Sequence, residues 1–347
     1  MSHLVQHLHQ VLSIYNDDFY CDQEHKQFVE NIMASIHSNS LAPRTRVFIP
    51  STQKGTTDQL IRALKYRVPV YYGKSRDDLF SWDILSSTLG YTKEHIPNNL
   101  QIISDTRFLI SGPVKIMPCS PNEDPVEIII SHIWGVNLES DTTADYHTLV
   151  AHEPSWDFDK YYHRQLELFR LIIQSSVFTM NSEGYNGVDI QMPLIGSGCF
   201  LRALSKNDQG KCIVHITRAL FTAVIEMPNC VRLKLCVFNP SEFDSWLIPA
   251  LRNKSEANPQ FIVGTGSSDG NVMNNVPDPK QTGRASIVIN AWDTHSFIGN
   301  GGNGDPSVDG MIVANSGNYN KHFRNTSFLH NVAFNPHLLE PRNWIQF

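Results

Sequence analysis

Residues 188–200 read Val-Asp-Ile-Gln-Met-Pro-Leu-Ile-Gly-Ser-Gly-Cys-Phe, and this stretch decides the fold. Val188 to Met192 reads as a strand that ends at Pro193, which has no N–H to continue a ladder. Leu194 to Phe200 follows as a glycine loop. On the N-terminal side lies the clearest helix of the chain, Phe158 to Met180, in which Leu166, Phe169, Leu171, Ile172, Ser176 and Phe178 form a buried stripe. On the C-terminal side, Lys211 to Glu226 reads as an amphipathic helix and Val231 to Phe238 as another strand. Further upstream, Pro125 to His132 carries an apolar run without alternation, the pattern of an interior strand covered on both faces. Strands alternating with helices of ordinary length predict an α/β layer fold with a largely parallel sheet. A ligand then belongs beyond the carboxyl ends of the strands, where the loops 193–200, 239–243 and 290–310 emerge.

The loop from Asn290 to Gly310 follows the apolar run Ala285 to Ile289. Gly299, Gly301, Gly302 and Gly304 let backbone N–H groups approach a phosphate or sugar without an intervening Cβ. Asp293, Asp305 and Asp309 are better suited to ribose hydroxyls or an adenine amino group, because a carboxylate repels a pyrophosphate. A nucleotide sugar would use both halves of the loop. The alternative is a long surface loop in which Gly and Asp serve turns, with Asp305 capping a turn that begins at Pro306. The run Gly301 to Asp305 resembles one copy of a calcium-binding glycine-aspartate repeat, an architecture that needs several stacked copies. No cofactor is required on this reading, and a single calcium or magnesium ion beside the ligand stays open.

With 347 residues, of which 41% are hydrophobic, the chain can bury a large core and is not of the disordered class. A formal net charge of -6, without a long Lys/Arg block, argues against a nucleic-acid partner. The six cysteines contain no CxxC pair, so neither a structural zinc site nor a disulfide framework is suggested. No signal-peptide pattern and no run of about 20 apolar residues is present, which predicts a soluble, cytoplasmic protein without membrane insertion.

Residues 3–37 carry Leu4, Leu8, Leu12, Phe28, Ile32 and Ile36 at helical spacing, with a break near Asn16 to Asp18. Strands are expected at Arg46–Pro50, Val68–Tyr72, Gln101–Ile103 and Phe108–Ile110, and helices at Thr57–Leu64 and Trp82–Leu89. These divide the chain into an N-terminal helical and α/β extension, 1–120, and a ligand-binding domain, 121–347. Within the latter, the Gly-, Asn-, Ser- and Pro-rich residues 254–284 read as an insertion.

Taken together, these motifs resemble the macro domain family, the ADP-ribose-binding α/β fold. The family strand running into Val-Asn-Ala-Ala-Asn and a glycine loop is similar to Ile289-Asn290-Ala291-Trp292-Asp293 followed by Gly299 to Gly302. Its Ile-Gly-Thr-Gly phosphate loop is similar to Pro193-Leu194-Ile195-Gly196-Ser197-Gly198-Cys199-Phe200, and its His-x-Val-Gly to His132-Ile133-Trp134-Gly135. The order is permuted, since the Asn-Ala motif comes last here and first in the family, and the resemblance spans roughly residues 125 to 320. It implies a three-layer sandwich with a mixed, largely parallel sheet, plus the N-terminal extension.

The resemblance further implies that Ile195, Gly196, Ser197, Gly198, Cys199 and Phe200 wrap a pyrophosphate, with the Ser197 hydroxyl as an added donor. Gly299, Gly301 and Gly302 would face the distal ribose, and Asn290 would hydrogen-bond it. Asn239 would stand on the adenosine side, or else end its strand in a turn with Pro240. Phe200 and Phe297 would stack on the ligand or anchor the core. Asp293, Asp305 and Asp309 are the candidate catalytic carboxylates for hydrolysis of an ADP-ribosyl bond. Trp292 replaces a small family residue. The implied partner is ADP-ribose or an ADP-ribosylated protein. Likeness to a divergent branch of bacterial effector hydrolases would point to arginine of ubiquitin in a host cytosol. A non-catalytic ADP-ribose reader and a protein-interaction module are the alternatives. A covalent hydrolase built on Ser197 or Cys199 with His132 as base lacks the nucleophile-elbow spacing.

Overall fold

Parallel strands need crossover connections, and a right-handed crossover fixes which face of the sheet each helix covers. The computed structural model describes residues 44, 46–52, 108–116, 124, 126–139, 141, 143–150, 156–237, 243–291 and 341–347. Its strands are β1 (Arg46–Ile49), β2 (Leu109–Ile116), β3 (Val126–Ile133), β4 (Val188–Pro193), β5 (Val231–Val237), β6 (Phe261–Thr265), β7 (Ala285–Ala291) and β8 (Trp344–Gln346). They form one eight-stranded sheet in the order β6-β5-β4-β7-β3-β2-β1-β8. From β6 to β3 every pairing is parallel, whereas β2 runs antiparallel to both β3 and β1. The fold is thus α/β with a mixed, mostly parallel sheet.

The helices are α1 (Ala144–Leu149), α2 (Phe158–Ser182), α3 (Lys206–Ile225), α4 (Asp244–Ala257), α5 (Gly266–Asp269) and α6 (Pro279–Thr282). Helix α2 starts where the Asp157 carboxylate accepts from the Lys160 N–H, and α3 where Ser205 accepts from the Asp208 N–H. Each cap satisfies a donor that the first helical turn leaves open. From β3 through β6 the strands step in one direction, and their crossovers carry α2, α3 and α4 over one face. There Ile129, Ile133, Ile190, Met192, Leu233, Leu235, Ile287 and Ile289 pack with Leu168, Ile172, Ile216, Leu220 and Leu251. The β6–β7 connection runs back the other way to insert β7 between β4 and β3. The same handedness therefore puts it on the opposite face, where the Ser286 hydroxyl donates to the Pro277 carbonyl and Val272 and Met273 are buried.

Two parts of the sequence reading change. Residues 254–284, expected as an insertion, supply the end of α4, the edge strand β6 and the return crossover to β7. Strands β1 and β2, assigned by sequence to a separate extension, lie in the same sheet as β3. The expected elements at 3–37, 57–64, 68–72, 82–89 and 101–103 lie outside the described residues. No helix among the described residues is long and apolar enough to cross a membrane.

Candidate functional site

Strands β3, β7 and β4 lie side by side and parallel, so their carboxyl ends share one edge. Two described loops leave it, 134–139 after β3 and 194–201 after β4. Trp134 pins the first, its ring packed edge-on against Phe108 at 4.7 Å between centroids. The Asn137 N–H then donates to Asp145 Oδ2 at 2.8 Å, and Arg164 Nη1 holds the other oxygen, Oδ1, at 2.6 Å. Asp145 is buried, and both oxygens of its carboxylate are engaged in fixing this loop.

The second loop leans directly on the first. The Leu138 N–H donates to the Phe200 carbonyl at 2.8 Å. A Cβ on Gly135 would stand 2.8 Å from Gly196 Cα, closer than real side chains approach, so the two backbones meet with no room for a side chain. Gly196 has φ +86°, a conformation that costs glycine nothing and other residues about 1–2 kcal/mol. Beneath it lies the buried Gln165, whose Nε2 donates to the Tyr161 hydroxyl at 3.3 Å. Gly198 differs, being exposed, with no heavy atom within 4 Å of where its Cβ would stand.

The Ser197 hydroxyl donates to the Leu194 carbonyl at 2.6 Å, and the Ser197 N–H donates to the same oxygen at 3.3 Å. A hydroxyl has one proton, and in this structure that of Ser197 closes the turn. The N–H groups of Gly196 and Gly198 meet no backbone carbonyl acceptor among the described residues. The side chains of Ile195 and Phe200 are buried, so Phe200 is a core anchor and not a stacking surface. The backbone of Cys199 opens a single 3-10 turn, Cys199–Leu201.

Asn290 lies at the carboxyl end of β7, in register with His132 on β3, and both side chains are fully buried on the face opposite α2 and α3. Asn290 Nδ2 lies 3.0 Å from His132 Nδ1. Burial lowers His132 from 6.5 to about 3, which keeps the ring neutral, and a neutral Nδ1 accepting from the amide leaves the proton on Nε2. His132 and Ser197 are thereby each engaged elsewhere, and the structure does not assemble them as a base and nucleophile. Burial also pushes the thiols of Cys212 and Cys236 up to about 12, so neither forms a thiolate at neutral pH.

The edge therefore brings together Ile195, Gly196, Ser197, Gly198, Cys199, Phe200 and Asn290. Asn239, Asp293, Phe297, Gly299, Gly301, Gly302, Asp305 and Asp309 lie outside the described residues. Sequence reasoning missed Asp145, Arg164 and Gln165, which support the loops from below. The only local signal was Thr143, which caps α1 and whose hydroxyl donates to the Asn137 carbonyl at 2.8 Å. The arrangement offers a loop with glycines on both sides of Ser197, open at Gly198, next to a buried amide, which suits an oxygen-rich anionic ligand. No family model and no curated protein matches the sequence.

Proposed function

We propose that the chain binds ADP-ribose at the carboxyl edge of β3, β7 and β4 and hydrolyses its bond to a modified protein. The observation that carries this reading is the loop 194–201, with its left-handed Gly196 and open Gly198, following a strand that pairs with β7, the strand that carries Asn290 near its carboxyl end. The pyrophosphate lies over Gly196 to Gly198 and takes hydrogen bonds from backbone N–H groups, as anions do on such nests. Its distal ribose points towards the loop that follows Ala291, where the sequence supplies Asp293, Asp305 and Asp309. Hydrolysis needs a water held near the anomeric carbon and negative charge facing the oxocarbenium-like transition state, and carboxylates supply both. A departing guanidine is basic enough to need little further protonation. Arginine of ubiquitin fits as acceptor, and the macro-like three-layer sandwich in permuted order is the fold this reading entails.

A second reading, a non-catalytic ADP-ribose reader, is favoured by one observation. Asp145, buried beneath these loops, has one oxygen held by the Asn137 N–H and the other by Arg164, so it supports the loops and is not free to orient a water. Titration calorimetry with ADP-ribose tests the shared part, and absence of saturable binding sinks both readings. Turnover of ADP-ribosyl-arginine then separates them. In an enzyme, Asp305→Asn or Asp309→Asn lowers turnover at retained affinity, whereas in a reader only affinity changes.

A further inference from the structure

Helix α2 buries a stripe of side chains, and one of them is out of character. Among Tyr161, Leu166, Leu168 and Phe169 stands Gln165, fully buried, with no hydrogen-bond partner for its Oε1. The serines buried further along the same helix behave differently, since Ser175 and Ser176 both donate to the Ile172 carbonyl. A buried acceptor without a donor costs stability, and a leucine or methionine would fill a similar volume without that cost. Packing alone therefore does not account for an amide at 165.

Its position does. Gln165 Nε2 lies 3.0 Å from where a Cβ on Gly196 would stand, nearer than Cδ at 3.8 Å, so the amide turns its NH2 end to the glycine loop. From the other side Gly135 closes in, with the place of its own Cβ 2.8 Å from Gly196 Cα. Gly196 is thus held between the loop 134–139 and α2, and it has no side chain to separate it from the amide. Nε2 carries two protons, and one goes to the Tyr161 hydroxyl at 3.3 Å, four residues earlier on the same helix face. Tyr161 in turn shares a hydrogen bond with the Cys212 thiol of α3. The titratable groups around the amide are therefore Tyr161 on α2, Cys212 on α3 and Asp145 on α1, the last paired to Arg164. Burial holds Tyr161 well above its ordinary range and Cys212 at about 12, so both stay neutral. What α2 sets under the loop is an uncharged donor, the positive end of an amide dipole.

We infer that Gln165 is a positioning residue of the anion site, carrying Gly196 on an uncharged donor on which anion affinity at the loop 194–201 depends. The inference rests on the reading of this loop as the seat of a pyrophosphate. Gln165→Glu tests it by changing charge at nearly constant shape: protonated, the new carboxyl is neutral, and ionised, it puts a negative charge under the bound anion. Burial moves the titration of such a carboxyl up towards neutral pH. The measurement is calorimetry with ADP-ribose on the full chain between about pH 5.5 and 8.5, each variant read against wild type at the same pH. Gln165→Glu should bind within about threefold of wild type at the acid end and at least about tenfold more weakly at the alkaline end. Gln165→Met, neutral but without the donor, should bind about tenfold more weakly at every pH, with a Tm no lower than wild type because the unpaired acceptor is gone. A merely structural role would move Tm and leave affinity and its pH profile alone. Melts at each pH show where the Gln165→Glu protein is folded, and Gln165→Met carries the test where it is not. Gln165→Met binding within about twofold of wild type overturns the inference, as does a Gln165→Glu affinity ratio that stays constant with pH in the folded protein. Either result leaves the ADP-ribose reading standing, whereas no binding by wild type sinks that reading and the inference together.

Discussion

Three glycines near one loop make different demands, and replacing each by alanine separates structure from binding. At Gly135 the new methyl stands 2.8 Å from Gly196 Cα and 2.9 Å from its N. Both atoms belong to backbone held by the ends of β3 and β4, so the loops must part, at a cost of about 1–3 kcal/mol. At Gly196 the cost is about 1–2 kcal/mol and comes from φ +86°, because the closest neighbour, Gln165 Nε2 at 3.0 Å, can swing aside. At Gly198 no heavy atom lies within 4 Å and φ is ordinary, so stability should stay within about 0.5 kcal/mol of wild type. Binding should not follow the same order. A methyl on exposed Gly198 holds an anion off the neighbouring N–H groups, and a tenfold loss of ADP-ribose affinity, about 1.4 kcal/mol, is expected from it alone. Urea denaturation gives the stabilities and calorimetry the affinities. A Gly198→Ala protein that is as stable as wild type and binds equally well refutes close backbone approach at this loop. One that is the least stable of the three refutes the loop geometry.

Three further outcomes follow from charge and packing. Asp189 accepts from Arg232 at 2.6 Å through both Nε and Nη2 and from Arg284 Nε at 2.8 Å, so Asp189→Asn should destabilise by about 2–3 kcal/mol in urea melts. Arg232 is half-exposed and relieves part of the loss through water, and a change below about 0.5 kcal/mol would show that the cluster is decorative. His132 stays neutral in the fold down to about 3, while an unfolded histidine takes its proton near 6.5. The unfolded state therefore binds the extra proton between those values. Stability from this group is complete above pH 6.5 and falls with pH by up to about 1.4 kcal/mol per unit, a slope that His132→Gln should remove from stability-against-pH curves. Phe347→Ala should cost about 2 kcal/mol, read as a lower Tm, because it deletes the stack on Phe48 and the contact with Phe178. An unchanged Tm would mean that the Phe347 ring contributes nothing to the stability of the fold.

The fold was legible where one signal dominated. The β3 run 126–132 and the 158–180 helix fell within a few residues of their observed bounds because apolar spacing is unambiguous there. Helix α3 was read as starting at Lys211, whereas Ser205 caps it and Lys206 opens it; its first turn is polar, so hydrophobic period misses what the cap reveals. Helix α4 escaped the reading because Pro249 sits inside it and only Leu247 and Leu251 are deeply buried. Strand β6 looked like part of an insertion because it is an edge strand, with Ile262 45% exposed among polar neighbours.

The candidate site divides in the same way. Gly196 and Gly198 stood out because a conformational demand is written in one residue type. The Asp145–Arg164 clamp and the His132–Asn290 pair were invisible because each joins residues that only the tertiary fold brings together, the second across 158 positions. That second pair also shows how strand adjacency and chain order separate. Strand β7 comes late in the chain, yet it pairs with β3 on one side and β4 on the other, and it delivers Asn290 beside His132 at the edge where the glycine loop begins. Whether its strand is made before or after its neighbours changes the connections on the outer faces, and leaves the row of carboxyl ends as it is. The chemistry available at that edge depends on which strands are adjacent and not on the order in which the chain makes them.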